Sequence, residues 1–178
     1  EDYCPRKTLM PRFWLPTLTF DHDGAVFGAF TAGQDVLGYH TYMLQGGVGV
    51  SGRGYYNIDY IYDRWYPTLF MNLHSLPVVY SEFFHDDENY YERQRAVNAG
   101  LSIPLYSTLE TELRLMAGYK YEKVKHLSDA YNRRIDRLGV YEGRIDNVFI
   151  GLGYSDALKY PYSISKEEGR NVSLIYRR

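Results

Sequence analysis

The sequence predicts an all-β fold, an antiparallel up-and-down transmembrane β-barrel with its apolar face turned outward to lipid. Three observations predict it. Long segments alternate apolar residues with polar residues or glycine, the polar parity is itself rich in glycine, and aromatic residues gather where the segments end. The alternation is clearest at 109–122. Leu109, Thr111, Leu113, Leu115, Ala117, Tyr119 and Tyr121 fall on one parity, with Glu110, Glu112, Arg114, Met116, Gly118, Lys120 and Glu122 on the other. A strand with that pattern has one apolar and one charged face. At roughly 3.3 Å per residue it reaches on the order of 40 Å, enough to cross a bilayer at a tilt of about 45°.

After a lead-in at 1–11, the pattern places one barrel domain at 12–178. About nine strands are expected, at 12–20, 24–33, 38–51, 54–63, 67–75, 92–105, 108–124, 142–156 and 169–178. The first two are joined by the turn signal Asp21-His22-Asp23-Gly24. In the third, Tyr42, Leu44, Val48 and Val50 oppose Gln45, Gly47, Gly49 and Ser51, and Ser51-Gly52-Arg53-Gly54 ends it. The fourth sets Tyr56, Ile58, Tyr60 and Tyr62 against Asn57, Asp59 and Asp63, with Ile61 out of pattern, and Trp65-Tyr66-Pro67 turns the chain. The fifth carries Asn72, His74 and Ser75. In the sixth, Val97, Ala99, Leu101, Ile103 and Leu105 face away from Asn98, Gly100 and Ser102, and Tyr106-Ser107-Thr108 leads into the seventh. Val148, Ile150, Leu152 and Tyr154 oppose Asn147, Gly151, Gly153 and Ser155 in the eighth, and Val172, Leu174 and Tyr176 oppose Asn171, Ser173 and Arg177 in the ninth. Short joins between successive strands imply an antiparallel meander.

Periodicity alone does not say which parity faces in. Glycine on the polar parity (Gly47, Gly49, Gly100, Gly118, Gly151, Gly153) is a poor choice for a solvent face. Trp14, Phe20, Tyr55, Tyr62, Trp65, Tyr66, Tyr106, Tyr119, Tyr121 and Tyr154 near strand ends suit interfacial girdles. Connections also alternate, with 76–91 and 125–141 long and charged, the joins near 65–66 and 106–107 tight, and 157–168 breaking the pattern. The lumen-facing candidates are therefore Asp59, Asp63, Glu110, Glu112, Arg114, Lys120, Glu122 and Arg177. The lipid-facing candidates are Tyr56, Ile58, Leu113, Leu115, Leu152 and Leu174.

Composition bounds the rest. The 178 residues include 20 Tyr and 16 Gly at an ordinary 45% hydrophobic content, and no apolar stretch is long enough for a transmembrane helix. A net charge of −2 gives no electrostatic case for nucleic acid as a partner. The single cysteine, Cys4, has no internal partner, and the opening Glu1-Asp2-Tyr3-Cys4-Pro5 has neither the basic start nor the apolar core of a signal peptide.

Two sets of blocks carry a resemblance. Tyr3-Cys4-Pro5, Leu9-Met10-Pro11-Arg12-Phe13-Trp14-Leu15-Pro16 and Thr31-Ala32-Gly33-Gln34-Asp35-Val36-Leu37-Gly38-Tyr39-His40 open the chain. Tyr60-Ile61-Tyr62-Asp63-Arg64-Trp65-Tyr66-Pro67 and the run from Tyr160 to Arg170 follow. Together they resemble a BamA-like surface-antigen barrel of the kind found in bacteria behind a TolB-like propeller. The resemblance implies the bacterial outer membrane, contact with its lipid and lipopolysaccharide, and a role in inserting or exporting proteins. It also implies a periplasmic domain ahead of the barrel and a terminal aromatic, which the chain departs from at Arg177-Arg178. The expectation is a portion of a larger barrel, its edges completed by further strands or a partner chain.

No catalytic, cofactor or metal site is expected. Asn72, His74 and Ser75 hold the residue types of a hydrolase, but neighbours on a strand point to opposite faces. His85-Asp86-Asp87-Glu88 lacks the alternation of a calcium loop, and Gly46-Gly47-Val48-Gly49 is followed by no helix. Asn171-Val172-Ser173 matches a glycosylation acceptor only by chance. Lys123, Lys125, His126, Arg133, Arg134, Arg137 and Lys159 are basic loop or strand-end positions that suit lipopolysaccharide phosphates. The alternative reading is a soluble β-barrel binding an apolar small molecule in its centre; a lipid-modifying barrel enzyme is less supported.

Overall fold

The computed structural model describes residues 5, 8–80, 90–108, 110–127, 143–156 and 169–178. Nine strands form one antiparallel sheet: β1 (Leu15–Asp21), β2 (Gly24–Gln34), β3 (His40–Gly49), β4 (Gly54–Tyr62), β5 (Thr68–Tyr80), β6 (Tyr90–Ser107), β7 (Glu112–His126), β8 (Gly143–Ser155) and β9 (Asn171–Arg177). Each pairs with its neighbours in the chain, the up-and-down order that the alternation predicts. β1 and β9 are not paired with each other, so the sheet is open along both.

Alternation divides the sheet cleanly. One face carries Leu18, Phe27, Val48, Ile58, Leu73, Val97, Leu115, Leu152 and Leu174, and the other Asp21, Asn57, Asn72, Asn98, Arg114, Lys120 and Ser173. The polar face is concave, because β1 approaches β5 across it and Tyr55 of β4 donates to Asp21 Oδ2 of β1 at 2.6 Å. The apolar face is convex and uncovered: Leu18 is 57% exposed, Phe27 62%, Val148 61% and Leu174 74%. Among the described residues only Val26, Tyr55, Ala96 and Val124 are buried hydrophobics. Among the described residues no second layer packs on that apolar side.

Glycine on the concave face has a packing reason. Gly100 and Gly118 are cross-strand partners, with Phe70 opposite Gly100 and Phe149 opposite Gly118. The two rings lie over the glycines with their centres 6.5 Å apart. A Cβ on Gly100 would sit 2.7 Å from Phe70 Cζ, and one on Gly118 2.6 Å from Phe149 Cζ. Phenyl groups thus fill the volume that glycine leaves, the aromatic rescue known from curved sheets.

Several boundaries differ from the sequence expectation. β7 begins at Glu112, because Thr108 Oγ1 accepts from the Thr111 amide at 2.9 Å and closes a turn over 108–111. Leu109 lies outside the described residues. A bulge between Pro104 and Tyr106 takes Leu105 out of the alternation and lets Tyr106 face Leu113. β5 runs on to Tyr80 through Pro77, which is tolerated because β4 pairs with β5 only as far as Ser75.

The alternation of long and short connections expected at 65–66, 76–91, 106–107 and 125–141 is present, and it does not extend to the first half of the sheet. At the end of the sheet called upper here, the connections are 22–23, 50–53, 81–89 and 127–142; at the lower end they are 35–39, 63–67, 108–111 and 156–170. The two shortest upper turns are tighter than their lower counterparts, so the asymmetry is confined to β5–β8. Turn chemistry explains the first half. Asp21 Oδ1 accepts the Asp23 amide at 2.9 Å before Gly24 at φ 128°, and Asp35 Oδ1 accepts the His40 amide at 2.8 Å around Gly38 at φ 74°. At the base of 156–170, Arg170 hydrogen-bonds Asp156 through side chain and backbone and holds its carboxyl below the usual carboxylate range.

The glycine packing is directly testable. Gly118→Val pushes a side chain into Phe149 and the Ala99 carbonyl and should destabilise the sheet by about 1–3 kcal/mol. Gly46→Ala enters open space and should stay within about 0.5 kcal/mol. Urea midpoints of the intact chain check this, and equal shifts for the two variants would contradict it.

Candidate functional site

The concave face gathers most of the charged residues that the alternation selects. Asp59, Glu112, Arg114, Lys120, Glu122 and Arg177 all project from it. Its charges are compensated locally, between residues two apart on one strand. Arg114 Nε donates to Glu112 Oε1 at 2.9 Å, and Lys120 Nζ lies 2.6 Å from Glu122 Oε2. Arg114 also reaches across the pair to Ser102 Oγ at 3.1 Å. On β4 and β5 a polar chain forms: Asn72 Nδ2 donates to Asp59 Oδ1 at 2.7 Å and to Asn57 Oδ1 at 3.0 Å, and His74 Nδ1 lies 2.7 Å from Asn72 Oδ1. Asn98 and Asn147 flank Lys120 in the register, and their Oδ1 atoms are buried with no partner among the described residues. Beside β1 an open cleft of about 240 Å³ is lined by Thr17, Thr19, Val26, Gln45, Tyr55 and Leu76 of this face and by Phe20, Tyr56 and Pro77 of the other. Such a surface can line an aqueous interior or bind a plug of polar chain.

Two lumen candidates sit elsewhere. Glu110 lies in the 108–111 turn, its amide held by Thr108 Oγ1 at 3.4 Å. Asp63 follows β4, where its amide donates to the Tyr39 carbonyl at 2.8 Å and its carboxylate accepts from Thr68 Oγ1. All six lipid-facing candidates, Tyr56, Ile58, Leu113, Leu115, Leu152 and Leu174, share the convex face.

Of the girdle residues, Tyr55 is misplaced by the sequence reading. It follows the concave parity of Asn57 and Asp59 and is buried against Asp21. At the lower end, His40, Tyr60, Tyr62 and Trp65 cluster on the convex side: His40 Nδ1 and Tyr60 OH are 2.7 Å apart, and the Tyr62 and Trp65 ring centres 5.2 Å apart. Tyr66 joins them by donating to the Pro104 carbonyl at 2.5 Å.

His74 and Ser75 point to opposite faces, His74 into the concave chain and Ser75 outward, where its Oγ accepts from Arg93 Nε at 2.9 Å. They form no dyad. Gly46-Gly47-Val48-Gly49 and Asn171-Val172-Ser173 are strand, and 21–24 is the β1–β2 turn. Among the described residues no group of three His, Cys, Asp or Glu could hold a metal. Cys4, His85-Asp86-Asp87-Glu88, Arg133, Arg134, Arg137, Lys159 and 160–168 lie outside the described residues.

One grouping escapes the sequence reading. Lys123, Lys125 and His126 are joined at the upper end by Arg53, Arg93 and Arg95, which come from the β3–β4 turn and from β6. Only the register, Arg95 opposite Lys123 and Arg93 opposite Lys125, brings them together.

No family model matches the chain, and no curated protein or solved structure matches it significantly.

The polar chain on β4 and β5 is expected to contribute to stability. Asn72→Ala removes both donations to Asp59 and Asn57 and should destabilise by about 1–3 kcal/mol. Arg177→Gln, at a position with no partner among the described residues, should leave the urea midpoint unchanged. A loss on Arg177→Gln as large as that on Asn72→Ala would contradict this assignment.

Proposed function

We propose that this chain is the membrane-embedded β-barrel module of a bacterial outer-membrane protein, serving as anchor or translocation-related pore for a surface-antigen or export function. The observation that carries the reading is how the apolar band runs across the sheet. The outward apolar run from Tyr42 in β3 to Val50 just past its end is centred on Gly46, whose cross-strand partners in sequence are Tyr56, Ser75, Arg95, Lys123 and Arg144. In β8 the run from Val148 to Tyr154 is centred on Gly151, seven residues below Arg144. Seven residues correspond to about 23 Å along the strands, and five inter-strand steps to about 24 Å across them. The band therefore crosses the strands at a slope of about 45°, against roughly 35–45° for strands tilted in a membrane barrel.

Aromatic rims follow the same slope. The lower rim passes from Tyr42 in β3 to Tyr154 in β8, six residues below Val148, which shares the register row of Tyr42. The upper rim passes from Tyr56 in β4 to Tyr176 in β9, again a drop of six residues. Between the rims, Leu113 to Tyr121 of β7 span about 27 Å along the strand, or on the order of 20 Å of height after tilt, near the roughly 25 Å apolar band of outer-membrane barrels. In lipid the free edges of β1 and β9 need partners, supplied by each other, by further strands or by another chain. The sequence blocks that resemble BamA-like barrels support the surface-antigen and export assignment. An apolar ligand in the centre of a soluble barrel is disfavoured, since the concave face is the polar one.

Charge at the middle of the band discriminates. Leu115→Arg should cost about 2–4 kcal/mol of insertion and reduce the heat-modifiable, membrane-inserted fraction sharply. Met116→Arg, one residue on and facing the concave side, should leave that fraction near wild type. Comparable loss in both, or in neither, would overturn the proposal.

A further inference from the structure

We infer that the convex face carries a binding site for the phosphate of an anionic lipid head group, at the upper margin of the apolar band across β6 and β7. The inference rests on the membrane reading and adds a ligand to it. Five cations, Arg53, Arg93, Arg95, Lys123 and Lys125, line one cleft of about 440 Å³ together with His126. Among the described residues no acidic side chain lines it. Arg95 stands directly opposite Lys123 and Arg93 opposite Lys125, so like charges face each other across the strand pair, an unfavourable arrangement unless an anion sits between them.

The cleft has a fixed part and an available part. Arg53 pairs with Asp23 across the two upper turns. Arg93 donates to Ser75 Oγ and to the Gly54 carbonyl, and its guanidinium lies 5.2 Å from the centre of the Tyr55 ring. Arg95, Lys123 and Lys125 are exposed and make no hydrogen bond or ion pair among the described residues. Guanidinium and ammonium donors converging from neighbouring strands suit the tetrahedral oxygens of a phosphate.

Position selects a lipid as the bearer of that phosphate. Arg95 and Lys123 stand two residues above Val97 and Tyr121 on the same face, where the continuous apolar runs Val97–Ile103 of β6 and Leu113–Tyr121 of β7 end. That step is about 7 Å, which puts the charges at head-group depth with acyl chains lying on the band below.

Native mass spectrometry of the full chain in detergent tests this with phosphatidylglycerol, phosphatidylcholine and inorganic phosphate as probes. Phosphatidylglycerol should be retained over phosphatidylcholine and should resist millimolar inorganic phosphate. Near a membrane surface each cation contributes about five-fold in affinity, so Arg95→Gln with Lys123→Gln should lower phosphatidylglycerol occupancy about 25-fold. Lys120→Gln with Arg177→Gln, the same charge change on the concave face, should leave it intact and shows that net charge is not the cause. Equal retention of the two lipids, equal loss in both double variants, or displacement by inorganic phosphate would overturn the site. If the chain inserts into phosphatidylcholine vesicles yet shows no lipid preference, only this inference fails; if it enters no vesicle, the membrane reading fails with it.

Discussion

Continuous sideways pairing of the backbone is the constraint on which the rest of the structure depends. Nine strands in chain order share one antiparallel register, so internal strands satisfy their amides and carbonyls within the sheet. With the backbone settled in this way, side-chain parity alone decides what each face meets. A slip of one residue would exchange Leu115 for Met116 and Lys120 for Tyr119, and the faces would mix.

That register turns local patterns into long-range ones. Gly100, Gly118, Phe70 and Phe149 are scattered along the sequence, yet three strand pairs bring them into one stack on the concave side. The same pairing keeps charges on the concave face compensated two residues apart, Glu112 with Arg114 and Lys120 with Glu122. A concave face neutralised in this way does not present the single-sign ring of a strongly ion-selective pore. On the convex side the register makes the slope of the apolar band measurable and gathers the cations of the upper margin.

Much of this was legible in the sequence, because strand periodicity is a local property. The division of Tyr56, Ile58, Leu113, Leu115, Leu152 and Leu174 from Asp59, Glu112, Arg114, Lys120 and Glu122 follows from counting alone. What escaped depends on competing local bonds or on partners distant in the chain. Thr108 captures amides that would otherwise start β7 and removes Glu110 from the strand. The fifth strand, expected to end at 75, continues through Pro77 to Tyr80, where β5 has outrun β4 and pairs only with β6. Tyr55 reads as an interface aromatic until Asp21, far back in the chain, is placed beside it. Arg53, Arg93 and Arg95 carried no signal as a group, since only the β6–β7 register sets them against Lys123 and Lys125.

An oblique apolar band that marks a bilayer requires strands tilted across it. Polarised infrared dichroism of the amide I band, recorded on the chain in oriented bilayers, reads that tilt without mutation. The expected result is strands inclined at about 40–45° to the bilayer normal. Strands lying parallel to the membrane plane, or a chain that leaves the bilayers with the buffer, would contradict it.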